Sequence, residues 1–343
     1  MKTRPKNICI HSPLHLGDSV MSLPFVQTLR AHFPRTRITL VVKKELAALW
    51  RGQPYADQIR SCTSTPQELS KLSPWLKKQR FDLSFLLATG EEVAQAHFEA
   101  GVPIRIGFDF WNRGHFLTHF IPTNGFPTDP KLTRKHMVQN YLDLLKKISI
   151  KPRFFRPKIF KVKKSPAKSG QTAIGIAPGA SYGPSKRWPD ELFHELALRL
   201  SETLENKIIL LGSPEDRLLS KRVFDRFHSE HILNQMGRTD LNELMEWILQ
   251  CRLVVANDSG VSHLSNALGV PTITLFGSSS PAWTRPLDPR SKVITLSLPC
   301  SPCFQPVCPL GHTQCLKGIS VDKVLPIIVR KFKRVKPLSN FDV

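Results

Sequence analysis

Leu253-Val254-Val255-Ala256-Asn257-Asp258-Ser259-Gly260-Val261-Ser262-His263-Leu264 decides the reading of the whole chain. Four consecutive apolar residues, two of them β-branched, describe a strand buried on both faces, as in a parallel sheet. Asn257 to Gly260 is a polar turn, after which a helical pattern runs to Leu268 and stops at Gly269. A strand that passes through a small polar loop into a helix is half of a βαβ unit. The same grammar recurs in both directions. Apolar strand-like runs lie at 8–11, 38–42, 81–88 and 104–108, then at 173–177, 207–211, 253–256, 272–276 and 293–296. Amphipathic stretches at 25–33, 191–204 and 242–250 alternate with them. The expected fold class is therefore α/β, with two doubly wound units.

The length, 343 residues, fits two such units. Between Leu144 and Pro189 there is no acidic residue, while lysine, arginine and proline are frequent, Pro152, Pro157 and Pro166 among them. Such a stretch makes poor helix and poor strand. The expected organisation is a first domain at 1–150, a basic linker at 151–170, a second domain at 171–320, and a basic helix and tail at 321–343. The linker reads equally as a solvated tether or as a strip facing an anionic surface. Arg330, Lys331, Lys333, Arg334 and Lys336 repeat the theme in the tail.

Lys and Arg number 49 against 27 Asp and Glu, a formal charge of +22, which favours anionic partners and says nothing of fold. No apolar run is long enough to cross a bilayer, and 8–10 is too short for a signal-peptide core. Seven cysteines, three of them (Cys9, Cys62, Cys251) inside apparent elements, suit a reducing compartment. A cytoplasmic protein is expected.

In a doubly wound sheet, ligands bind outside the carboxyl ends of the strands, so the loops after strands carry the chemistry. After 8–11 comes a loop ending in Gly17-Asp18. Asp18 at a helix start is either an N-cap or a general base facing a cleft, and spacing alone favours the cap. After 173–177, Pro178-Gly179-Ala180-Ser181-Tyr182-Gly183-Pro184-Ser185-Lys186-Arg187-Trp188-Pro189 offers backbone amides and two cations. It is a plausible phosphate cradle or an ordinary βα loop, and it lacks the ending of a Walker A motif. The 258–260 turn presents a helix start to which a diphosphate would fit, with His263 able to bond the same anion. Phe276-Gly277-Ser278-Ser279-Ser280-Pro281 supplies another small polar loop at that edge.

Cys300, Cys303, Cys308 and Cys315, with His312 among them, form the densest local cluster. Four thiols in 16 residues are a candidate structural metal site, zinc first and iron second. The same thiols fit a reduced Pro-rich loop or disulfides formed on oxidation. Four thiolates would leave no open coordination position, so catalysis is not assigned to this metal.

Taken in order, Gly17-Asp18-Ser19-Val20-Met21-Ser22-Leu23-Pro24, Pro178-Gly179-Ala180, Gly183-Pro184-Ser185-Lys186-Arg187-Trp188-Pro189, Asn257 to Leu264, and the cysteine loop resemble the family 9 glycosyltransferases. These are the ADP-heptose:lipopolysaccharide heptosyltransferases, and the match is nearest the heptosyltransferase II branch. The resemblance implies a GT-B architecture of two Rossmann-like domains facing a cleft, acceptor on the first and nucleotide sugar on the second. It makes Asp18 the general base for the acceptor hydroxyl in an inverting transfer, and Lys186 the cation at the departing diphosphate, with no cofactor needed for catalysis. It places Gly17, Ser181, Tyr182, Asp258, Ser259, Gly260 and His263 at the nucleotide sugar. Gly212, Glu215 and Thr239 line the adenosine pocket in the same reading.

Arg105 and Arg113 are the basic candidates for an anionic lipopolysaccharide inner-core acceptor, Kdo-lipid A carrying heptose. Peripheral association with the inner face of the inner membrane follows from the charge and the acceptor. Tyr182 departs from the small hydroxyls usual at its position. Pro13-Leu14-His15-Leu16 departs from the Asn and Trp usual before Gly17 in the type II branch, which bears on acceptor choice. Competing readings are a family 9 enzyme with another sugar nucleotide or acceptor, a silent relative, a basic nucleic-acid- or membrane-surface-binding protein without catalysis, and an oxidoreductase. A nucleic-acid partner is not expected, because the basic runs hold few aromatics for base stacking. The absence of GxGxxG weakens the oxidoreductase.

Overall fold

The computed structural model describes residues 4–63, 71–123, 133–160, 162, 172–204, 206–219, 221 and 230–336. The chain divides into two units, Met1–Pro157 and Lys158–Val343. Each is built on one all-parallel sheet of six strands with helices between them, so the α/β expectation holds.

In the first unit β1 (Asn7–His11), β2 (Arg37–Lys43), β3 (Gln58–Cys62), β4 (Leu83–Leu86), β5 (Ile104–Asp109) and β6 (His119–Pro122) lie in the order β3-β2-β1-β4-β5-β6. Ile8, Ile10, Leu40, Val42, Leu83 and Phe85 are sealed within it. The ring of Phe25 meets that of Phe85 edge-on at 4.9 Å. Burial of such side chains contributes about 1.5–3 kcal/mol each. Two helices follow β1, Leu16–Met21 and Leu23–His32, and Pro24 sits in the first turn of the second, where a missing N–H costs nothing.

In the second unit β7 (Ala173–Ala177), β8 (Ile208–Leu210), β9 (Ile232–Asn234), β10 (Cys251–Asn257), β11 (Thr272–Phe276) and β12 (Lys292–Thr295) lie in the order β12-β11-β10-β7-β8-β9. The order reverses between β1 and β4 in one sheet and between β7 and β10 in the other. A doubly wound sheet opens its binding crevice at such a point, outside the carboxyl ends. Asp18 follows β1, the Lys186 loop follows β7 and the Asp258 loop follows β10.

Two boundaries differ from expectation. The chain joins the second unit before residue 171: Ile159 is buried and its amide donates to Ala267 O at 3.0 Å. Residues 151–160 carry no regular structure, and 161 and 163–170 of the expected linker lie outside the described residues. The helix Val321–Arg334 is no appendage. Val321, Val324, Ile328 and Phe332 belong to the same core as the second sheet, leaving its basic residues outward. No helix among the described residues is long and apolar enough to cross a membrane.

Candidate active site

In the first unit the turn after β1 is braced from inside. Ser19 Oγ donates to Pro13 O at 2.7 Å and lies 3.2 Å from Ser12 Oγ, and Ser22 Oγ donates to Ser19 O at 2.8 Å. The brace fixes the helix Leu16–Met21, whose first turn holds Gly17 and Asp18. The positive end of that helix favours the carboxylate. Asp18 is partly exposed while Ser19 and Val20 behind it are buried. Tyr141 lies within its field: burial first, and the Asp18 charge second, hold that phenol well above its ordinary pKa.

The two arginines proposed for the acceptor lie in different surroundings. Arg113 is fully buried and donates to Phe108 O (2.9 Å), Gly90 O (2.9 Å) and Leu86 O (3.3 Å). A guanidinium so enclosed is not open to an acceptor. It ties together the segments that leave β4 and β5. Arg105 stands near the amino end of β5, the edge of the sheet opposite Asp18. It donates to Phe116 O at 2.6 Å and to Val102 O, and it stacks on Phe98. Beyond β5, Trp111 and Asn112 hold left-handed backbone (φ 56° and 58°), and Trp111 is 68% exposed. Sequence patterning carried no sign of this.

In the second unit the loops after β7, β10 and β11 meet on one carboxylate. Asp258 Oδ2 receives Lys186 Nζ at 2.7 Å, Ser279 Oγ at 2.5 Å and Thr284 Oγ1 at 3.2 Å, and His263 Nε2 stands 3.7 Å from Oδ1. Burial alone would raise this carboxyl's pKa. The Lys186 ammonium and His263 outweigh it and leave the group far below the usual carboxylate range. Asn257 ties the two loops at their base, accepting from Trp188 N at 3.0 Å and donating to Pro178 O at 2.7 Å. Trp188, wholly buried, donates to Ile319 O at 2.8 Å. Arg187 is turned to Ala180 O at 3.1 Å. Lys186 is thus the cation of its pair that faces the carboxylate.

Ser259 and Gly260 begin the helix Gly260–Ala267, the first as its N-cap. Helix starts leave amides without intrahelical partners, and the Ser259 hydroxyl is buried with no partner among the described residues. Tyr182 does not present its hydroxyl here. That group donates to Phe304 O at 2.6 Å, and the ring lies 5.0 Å from Lys186 Nζ. Ser181 is exposed.

The remaining glycines show why this chain needs them. A Cβ on Gly179 would lie 2.3 Å from Asp216 Oδ2, and one on Gly212 would lie 3.0 Å from the same atom, so the loops after β7 and β8 touch through Asp216. Asp216 is buried and accepts from Ser213 N at 2.9 Å, whereas Glu215 beside it is exposed. Thr239, beyond β9, keeps a buried hydroxyl with no partner among the described residues. Ser259 and Thr239 are therefore two expected binding residues whose oxygens have no partner among the described residues.

The metal expectation finds no support in the arrangement of the described residues. Cys300, Cys303 and Cys308 are half-buried and Cys315 buried, all free. Among the described residues no three His, Cys, Asp or Glu side chains are gathered to hold a metal ion. What the cysteine loop does in this structure is pack: Ser185 N donates to Pro306 O at 3.1 Å and Ser301 Oγ to Gly277 O at 2.7 Å.

A family model described as glycosyltransferase family 9 (heptosyltransferase) matches residues 69–314. The chain belongs to that family. It is 30% identical over 330 residues to lipooligosaccharide heptosyltransferase 2 of Campylobacter jejuni, spanning 93% of this chain and 96% of that one. It is 27% identical over 319 residues to lipopolysaccharide heptosyltransferase 2 of Escherichia coli, spanning 84% and 88%. Among solved structures, the ADP-heptose lipopolysaccharide heptosyltransferase II of E. coli superposes with a TM-score of 0.79 at 25% identity, over 96% of this chain and 99% of that one. The family 9 chain is a glycosyltransferase of the GT-B class, as its motifs implied.

Proposed function

We propose that this glycosyltransferase moves heptose from ADP-heptose to the inner core of lipopolysaccharide, with inversion at the anomeric carbon. The observation that carries the reading is the Lys186–Asp258 pair beside the Ser259–Gly260 helix start. An ammonium has three protons, and with one on Asp258 Oδ2 two remain for phosphate oxygens. The helix start adds amides and a positive dipole for the second phosphate, and the unpaired Ser259 hydroxyl adds a donor. Charge that develops on ADP as it leaves is thus met by groups already in place. Their fixed positive charge does the work of leaving-group stabilisation, so turnover is expected to persist in a chelator.

Asp18 supplies the other half. Its carboxylate takes the proton from the acceptor hydroxyl. That oxygen bonds to the anomeric carbon as the bond to the ADP oxygen breaks on the opposite face. A carboxylate is a weak base, sufficient if bond breaking to ADP runs ahead and acidifies the hydroxyl. The +22 charge and the outward basic face of Val321–Arg334 suit an anionic lipid acceptor at the inner face of the inner membrane.

The test is ADP release from ADP-heptose with and without heptosyl-Kdo2-lipid A, with the anomeric configuration of the product read by NMR. Acceptor-dependent release and inversion are expected. Tight ADP binding without release would keep the nucleotide site and redirect the search to another sugar or acceptor.

A further inference from the structure

The turn after β5 holds a large aromatic ring out to solvent on strained backbone. Trp111 and Asn112 are consecutive residues in the left-handed region, at φ 56°, ψ 34° and φ 58°, ψ 29°. A Cβ in that conformation crowds the following carbonyl, so glycine is the residue such a turn ordinarily selects. Burial does not offset the strain, since Trp111 is 68% exposed and Asn112 is exposed beside it. Strain of this kind persists only where the surroundings impose it, and here they do. The Asp109 carboxylate accepts from Gly114 N at 2.6 Å, and Thr123 Oγ1 donates to Asp109 O at 2.6 Å. His115 Nδ1 donates to Asn112 O at 2.9 Å. Arg113, buried beneath the turn, donates to the carbonyls of Phe108, Gly90 and Leu86 and so ties the turn to the loop after β4. The indole is presented from a fixed base.

The place of the turn points to its ligand. In the parallel order β1-β4-β5, His11 is in register with Leu86 and Leu86 with Gly107. Trp111, just beyond β5, and Asp18, in the helix after β1, therefore both leave the sheet at its carboxyl edge, where a doubly wound sheet binds its ligands. β1 and β5 are two strand spacings apart, about 10 Å. An exposed indole beside an amide side chain is suited to a sugar. A pyranose can lay a face of C–H bonds on the electron-rich ring, and an amide both donates to and accepts from its hydroxyls. We propose that Trp111 is the stacking platform for a pyranose ring of the acceptor. The inference deepens the reading of the chain as a heptosyltransferase and rests on it. Because the turn is already ordered, little conformational freedom is lost when the sugar binds.

The experiment measures transfer by the full chain to heptosyl-Kdo2-lipid A and to the same oligosaccharide freed of its acyl chains. Trp111→Gly removes the ring and relieves the backbone at once. It should raise the KM of both acceptors about tenfold, with kcat and the KM of ADP-heptose within twofold of the wild type. Its melting temperature should stay unchanged or rise, because glycine takes left-handed backbone without steric cost. A merely structural residue would lower the melting temperature and spread the loss over kcat and the donor KM. Trp111→Tyr keeps a ring and should stay within threefold of the wild-type acceptor KM. Of the six tryptophans, all among the described residues, only Trp111 is exposed. Acrylamide quenching of the wild type therefore reads this ring, and the deacylated oligosaccharide should roughly halve it while ADP leaves it unchanged.

A wild-type acceptor KM in Trp111→Gly, an equal loss in Trp111→Tyr, or quenching that the oligosaccharide leaves unprotected would overturn the proposal. So would a rise in KM confined to the acylated acceptor, which would assign the ring to the lipid surface. A wild type that transfers heptose to neither acceptor would instead refute the acceptor reading on which the inference stands.

Discussion

Replacing Lys186 by Met separates what the charge does for the fold from what it does for the ligand. The pair is enclosed, with side-chain exposures of 15% for Lys186 and 3% for Asp258 and a separation of 2.7 Å. Removing one partner of a buried pair costs about 3–5 kcal/mol, because the other charge is left without compensation. Ser279 and Thr284 still donate to the same oxygen, so the lower end, about 3 kcal/mol, applies to Lys186→Met. Asp258→Asn leaves an ammonium that can turn to solvent, and should cost less. In the double variant no buried charge remains, so the pair of changes should cost about 2 kcal/mol less than the sum of the singles.

The assay is urea denaturation of all four proteins at neutral pH, with ADP affinity measured alongside. Lys186→Met should also lose ADP binding, whereas Asp258→Asn should retain part of it, since the lysine survives. The sign with pH follows from the depressed carboxyl. Its stabilisation is present above the unfolded carboxyl pKa and is lost only as pH falls towards the much lower folded value. A cycle whose two changes simply add would refute the account of this pair.

Other expectations concern both units. His11 is 1% exposed, and burial first and Arg113 second lower its pKa to about 3; His97, in ring contact with it at 5.7 Å, is shifted the same way. Above pH 6.5 both states are neutral and stability is full; below it the unfolded chain binds the extra proton, so His11 alone should remove about 2 kcal/mol at pH 5. Urea midpoints from pH 7.5 to 5 should show that slope, and His11→Phe should reduce it by one proton; an unchanged slope would sink the assignment. Arg113→Met should cost the first unit about 3 kcal/mol by leaving enclosed carbonyls unpaired, while Arg105→Met, at the far edge, should leave the acceptor KM within twofold. A raised acceptor KM in Arg105→Met would support Arg105 as an acceptor residue. Gly183→Ala should destabilise the second unit and weaken ADP about tenfold, since its φ of 153° and the nearby Pro306 carbonyl leave no room for a methyl group. Wild-type ADP affinity in Gly183→Ala would show that this loop is not held where the structure has it.

Most strands legible in the sequence are buried along their length, because continuous apolar runs such as Leu253 to Ala256 have few other readings; the partly exposed edge strand β12 is the exception. β3, β6 and β9 were not anticipated. They are the edge strands β3 and β6 of one sheet and β9 of the other, short, and partly exposed along their length, so no apolar run marks them. Lys186 and Asp258 were visible as residues, but the oxygens that converge on Asp258 were not. Ser279 and Thr284 come from a loop and a helix after β11, and only the sheet order brings them to β10. Glu215 and Asp216 are adjacent acids that sequence cannot rank; burial and the closeness of Gly179 choose Asp216. Arg113 is a related case: an arginine's charge suggests an external anion, and only the fold shows three carbonyls around it.

The proposed transfer takes Asp18 as its general base and Lys186 as the cation at the leaving group. The most direct measurement is heptose transfer from ADP-heptose to heptosyl-Kdo2-lipid A by the wild type and Asp18→Asn, with ADP affinity measured on both. Loss of a general base should lower turnover by about 10²–10⁴-fold while ADP affinity stays within twofold. Turnover of Asp18→Asn within threefold of the wild type would contradict the account.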